Sequence, residues 1–153
     1  MASARSILGI APSTPTTGDS ALIIIDAQNE YASGKLAVTN APSSRAAIAA
    51  LLRRYRDAQA PVVHVVHAVP DGAPIFTPGT ELAEEFAELA PLAGEPVVSK
   101  HFPGSFTGTQ LEQLLKESGR NKIVLVGYMV RLPPTIRRNI KGKGGGGFPE
   151  KRC

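Results

Sequence analysis

The chain of 153 residues is one domain's worth, and its 42% hydrophobic and 20% charged content excludes wholesale disorder. No apolar run approaches the ~20 residues of a membrane span, so no membrane partner is expected. The net charge of +4 is unevenly placed: residues from 131 onward hold seven Lys or Arg and one Glu, a net of +6, and the remainder nets −2, so the main body gives no reason to expect a nucleic-acid partner.

The single cysteine, Cys153, excludes an intrachain disulfide and a cysteine-based metal site. The opening MASARSILGIAPS has one Arg and a short apolar patch, too weak for a secretory signal, and the resulting expectation is a cytoplasmic protein. Residues 1–19 are rich in Ser, Thr, Pro and Gly and read as an extended lead-in. The run over 21–25 is mostly β-branched without polar alternation, the pattern of a strand buried on both faces of a parallel sheet, and it ends in Asp26. Open α/β sheets bind ligands outside the carboxyl ends of their strands, which makes Asp26 a site candidate; its competing role is to cap the turn that follows.

The segment AQNEYASGKLAVTNAPSS reads as a loop, with Ser43 or Ser44 as N-cap of a helix over 45–59 whose apolar stripe includes Ile48, Leu52 and Tyr55. After Pro61, VVHVVHA is a second buried strand, followed by a long Pro- and Gly-containing loop over 69–80 of the kind that closes over sites. A short amphipathic helix is predicted over 81–89 with Leu82, Phe86 and Leu89 inward. Val97 and Val98 form a third strand with Lys100 at its end. A helix over 108–118 carries Leu111, Leu114 and Leu115 on one face and stops at Gly119. Residues 123–126 are the last strand, ending in Gly127.

This alternation predicts a doubly wound parallel sheet with helices on both faces and all strand carboxyl ends on one edge. Asp26, His67, Lys100 and residues 127–129 then converge there. His64 and His67 are three apart on a strand, face opposite sides and cannot share a metal; a hydrogen-bonded structural role is expected for both, with His67 nearer the edge. Tyr31, Phe76, Phe102 and Phe106 are candidates to wall an apolar pocket, with core packing as their competing role. GKGGGG does not link a strand to a helix, so no phosphate loop is expected. From 130 onward the Pro- and Gly-rich composition reads as a disordered basic tail, leaving the sheet incomplete on its C-terminal side and the domain prone to aggregate.

Asp26, Gln28 and Asn29 in IIIDAQNEY, Lys100 in VVSKHFPGSFTGTQLEQLL, and the strand IVLVGYM together resemble the isochorismatase-like cysteine hydrolases, which include nicotinamidase-type amidases, over about residues 20–129. The resemblance implies a three-layer α/β/α fold with a mostly parallel, Rossmann-like sheet and an Asp–Lys–Cys triad. Asp26 would take the thiol proton and Lys100 would hold carboxylate and thiolate in register. Gln28, Tyr31, His67, Phe76, Phe102 and Phe106 are the expected substrate-binding positions. Where the family carries its cysteine this chain reads VRLPPTIRR, and nothing in the sequence fixes Cys153, beyond a glycine tract, near the site.

The implied activity is hydrolysis of a C–N bond, amide or imide, in a small-molecule substrate, impaired here for want of the nucleophile; the chain reads as a truncated or frame-shifted member. A branch of the family instead protonates the vinyl ether of isochorismate with the Asp and needs no cysteine. The competing reading is a non-catalytic small-molecule or protein-binding module. The zinc motif of the nicotinamidases has no match over 32–44, so neither metal nor other cofactor is expected. Family members often form dimers or tetramers, which makes a homo-oligomer an expectation here too.

Overall fold

The computed structural model describes residues 14–130, and expectations for residues 1–13 and 131–153 lie outside the described residues. Strand β1 (Ser20–Ile25) is buried along its whole length, as its unbroken aliphatic run requires. It is paired on both sides, in parallel, with β2 (Val62–His67) and β4 (Lys122–Gly127), and β3 (Val97–Lys100) adds to the far side of β2. The order β3-β2-β1-β4 means that the chain winds outward in one direction from β1 and later returns to its other side. The crevice at such a reversal opens at the carboxyl end of β1.

Alternate residues of β1 serve two cores. Leu22 and Ile24 pack with Ile48, Leu52 and Tyr55 of helix α2 (Ala41–Asp57), which follows the short helix α1 (Glu30–Ser33), and with Phe86 and Leu89. Ile23 and Ile25 pack with Val63, Val65, Val98 and Leu111 of helix α3 (Leu111–Glu117). The sheet is thus sandwiched between helices, which is the predicted three-layer α/β/α arrangement.

Two elements differ from the sequence expectation. Helix α2 begins at Ala41, with Pro42 in its first turn where a missing N–H costs nothing, and Asn40 rather than Ser43 or Ser44 stands at its N-cap. The helix expected over 81–89 is two 3₁₀ turns, Glu81–Ala83 and Ala87–Leu89. Between them the backbone is extended because Glu85 bridges Gln28 and its side chain reaches His64, while Phe86 is drawn wholly into the core. Tertiary contacts outweigh a weak helical period here.

Glu95, in the loop before β3, ties three elements together. Its carboxylate accepts two bonds from the Arg56 guanidinium (2.8 and 2.7 Å), one from the Leu92 N–H (2.8 Å), and faces His64 Nε2 at 3.1 Å. Burial alone would raise its pKa, but Arg56, the Leu92 N–H and His64 outweigh that and hold it at about 2, below the ordinary 4.5. A depressed carboxyl contributes stability that is present above pH 4.5 and lost as pH falls through about 2. We expect Glu95→Gln to cost about 1–2 kcal/mol at pH 7, less than the full shift because solvent screens part of it, and to flatten the loss of stability in that acid window, measured by urea titration at several pH values.

Candidate active site

The carboxyl ends of β1 and β3 deliver the two charged residues. Asp26 follows the last residue of β1 and adopts a left-handed φ of 51°, a strained conformation for a non-glycine residue, anchored by its N–H to the Val65 carbonyl at 2.8 Å. Lys100 ends β3. Its Nζ lies 2.7 Å from Asp26 Oδ2, with both side chains almost fully buried, and donates to the Pro103 carbonyl at 3.3 Å. The second carboxylate oxygen, Asp26 Oδ1, is buried with no hydrogen-bond partner. Burial pushes the Asp26 carboxyl up from 3.8 to about 6 although Lys100 pulls it down. A carboxyl that titrates close to neutral pH and keeps one free oxygen can donate or accept a proton.

Asp26 and Lys100 sit in a cavity of about 430 Å³ walled by Tyr31, Leu36, His67, Phe76, Pro103, Met129 and Val130. That is small-molecule size, and the lining is apolar apart from Asp26, Lys100, His67 and the hydroxyl of Tyr31. Tyr31 stacks on Tyr128 with ring centroids 5.0 Å apart and meets Phe76 edge-on at 5.5 Å. Burial, then the charges of Asp26 and Glu30, push the Tyr31 phenol up to about 12, so it faces the cavity as a neutral hydroxyl. His67 is registered beside Lys100 and packs against the edge of Phe76 at 5.1 Å. Burial, then Lys100 and His101, lower its pKa and keep the imidazole neutral.

Of the residues expected at the site, Asp26, Tyr31, His67, Phe76 and Lys100 are brought together, and three are not. Gln28 is buried behind the cavity: its Nε2 donates to the His67 and Ala83 carbonyls (3.0 and 2.8 Å) and its Oε1 accepts the His67 N–H (2.8 Å), so it splices β2 to the loop beyond it. Phe102 points outward, 54% exposed. Phe106 packs on the Ile23–Ile25 core because α3 lies on that face. His64 takes the expected structural role between Glu85 and Glu95, whereas His67 departs from it, its Nδ1 buried without a partner. Leu36, Pro103 and Val130 in the wall, and Glu30 beneath it, were invisible in the sequence because loop conformation alone brings them there. Among the described residues there is no cysteine and no cluster of three or more His, Asp or Glu able to hold a metal.

The Isochorismatase domain model matches residues 20–132, a span that contains every strand and both charged residues. The chain belongs to the isochorismatase family. A relative described as "Secreted isochorismatase effector Isc1", from Verticillium dahliae, is 59% identical over 132 residues, covering 86% of this chain and 70% of that protein. A solved isochorismatase from Pseudomonas putida superposes with a TM-score of 0.75 at 33% identity, covering 81% of this chain and 63% of that one. N-carbamoylsarcosine amidase from Thermoplasma acidophilum matches with a TM-score of 0.65 at 28% identity, covering 71% and 67%. This isochorismatase domain therefore spans roughly two thirds of the length of the relatives it matches. Its family accounts for the parallel sheet at whose strand ends Asp26 and Lys100 stand.

Proposed function

We propose that Asp26 is the proton-transfer group of a hydrolase acting on a small molecule, and that the reaction it serves is cleavage of an enol ether of the isochorismate type. The carrying observation is the free, buried Oδ1 of a carboxyl raised to about 6, with no thiol among the described residues. Protonation of the terminal vinyl carbon by Asp26 generates an oxocarbenium ion. Water adds to it, returning a proton to the Asp26 carboxylate, and the hemiketal collapses to pyruvate and an alcohol. Lys100 keeps the carboxylate oriented and neutralises it between the two proton transfers. The description of the Verticillium dahliae relative points to the same substrate class.

A second reading follows from the likeness to N-carbamoylsarcosine amidase: hydrolysis of a C–N bond through a thioester. That route needs a nucleophile, and on this reading the chain is impaired, with Asp26 and Lys100 present and no described thiol beside them. The two are separated by assaying pyruvate release from isochorismate and ammonia release from simple amides and ureides. We expect pyruvate release only, with a rate that declines as pH rises through about 6 because the acid form of Asp26 is consumed. A rate that instead climbs through that pH, or turnover of amides alone, would overturn the enol-ether reading. Location is a separate matter: the N-terminal sequence gives a cytoplasmic expectation, the Verticillium dahliae relative is described as secreted, and fractionation of a tagged chain decides.

A further inference from the structure

Glu30 is wholly buried, yet it touches neither Asp26 nor Lys100 through any hydrogen bond or ion pair. Its carboxylate instead accepts three backbone N–H bonds from two separate loops. Oε1 takes the N–H of Lys35 at 2.6 Å and of Leu36 at 3.3 Å, and Oε2 takes the N–H of Phe76, 46 residues away, at 3.0 Å. Leu36 and Phe76, one from each loop, both line the cavity. Phe76 is moreover held at a left-handed φ of 49°, a conformation it keeps only while something fixes its backbone. Room for the carboxylate is made by Gly34, where an added Cβ would lie 2.4 Å from Glu30 Oε1.

We propose that Glu30 is a positioning residue that couples the two loops walling the cavity, so that the width of the apolar slot, and with it the affinity for the substrate's ring, is set by this one carboxylate. Proton transfer stays with Asp26 and Lys100, so the residue acts on binding rather than on chemistry. The consequence for binding rests on reading the cavity as the substrate site; the coupling of the loops does not.

Gly34→Ala isolates the effect. The backbone φ at Gly34 is −89°, ordinary for alanine, so the new methyl conflicts with the movable Glu30 carboxylate and not with the chain's own path. The test compares Gly34→Ala, Glu30→Gln and the double variant by amide hydrogen exchange and by isochorismate kinetics. In Gly34→Ala the Phe76 N–H, in the other loop, should exchange at least about tenfold faster, with KM raised about tenfold and kcat within about threefold of the parent. Glu30→Gln keeps one acceptor oxygen and turns a donor toward the other loop, so it should release one loop strongly, and Gly34→Ala should add little to it.

Unchanged protection at Phe76 in Gly34→Ala, or additive effects in the double variant, would overturn the coupling. A fall in kcat at constant KM would overturn the binding role. Should the parent protein release no pyruvate from isochorismate, the enol-ether reading fails by that result alone, and the exchange data still decide the coupling. If Gly34→Ala does not fold, Glu30→Gln carries the same readout: protection retained at both loops refutes the proposal.

Discussion

Lys100→Met is expected to lose about 3–5 kcal/mol of stability at pH 8 and far less at pH 4, because it strands the Asp26 carboxylate in a buried site with no counter-charge. The sign follows from the raised pKa. A carboxyl moved from 3.8 to about 6 by burial contributes stability that is complete below pH 3.8 and is lost as pH rises through about 6. Lys100 is the influence that opposes burial, so its removal carries the titration above about 6 and extends the loss to higher pH. Asp26→Asn should cut turnover by about 10²–10⁴ and leave the Lys100 ammonium with only the Pro103 carbonyl. The double variant, with neither charge of this pair, should recover most of the stability and none of the activity. Chemical denaturation of the four proteins at pH 4 and pH 8 checks this; a Lys100→Met penalty equal at both pH values would contradict a buried ionised pair.

Gly127→Ala is expected to yield no soluble folded protein. Gly127 sits at the end of β4 with φ 119°, and a Cβ there would lie 1.9 Å from the Ile25 carbonyl oxygen. That carbonyl also accepts the Tyr128 N–H at 2.8 Å, the last rung joining β1 to β4. Relief would require separating the central strand from its neighbour, a cost of about 4–5 kcal/mol or more against a total domain stability of about 5–15 kcal/mol. Gly94→Ala is the control: its φ is also positive, at 93°, but nothing lies within 4 Å, so it should cost only about 1 kcal/mol. Soluble yield and circular dichroism report both. A cooperatively folding Gly127→Ala protein would mean that β1 and β4 do not approach as closely as described.

Asp26 and Lys100 could be brought together on paper because a parallel sheet aligns all its strand ends, whatever their separation along the chain. Strand β1 is legible for a related reason, since burial on both faces leaves an unbroken apolar run, whereas β3 alternates buried and exposed residues and shows only as Val97 and Val98. Glu30 was not legible, since its partners are backbone N–H groups whose positions depend on loop conformation, and its only trace is an acid in IIIDAQNEY four residues before a glycine. The aromatic residues divide by the same logic. Tyr31 and Phe76 follow elements that end at the crevice, whereas Phe106 belongs to the side of the sheet covered by α3 and Phe102 to solvent. The stretch 81–89 failed because Phe86 and Leu89 have helical spacing, but Gln28 and His64 claim the backbone and side chain of Glu85 between them.

The placement of β1 at the centre of the sheet bears on how the chain is made. Its partner β4 pairs Ser20 with Lys122, about a hundred residues further along, so on a ribosome adding ~5–20 residues per second the most oily segment of the nascent polypeptide waits ~5–20 s for one flank to be covered. Over that interval SALIII is a ready template for strands of other molecules, so the soluble yield is expected to rise when a holdase chaperone that shields short aliphatic stretches is co-expressed.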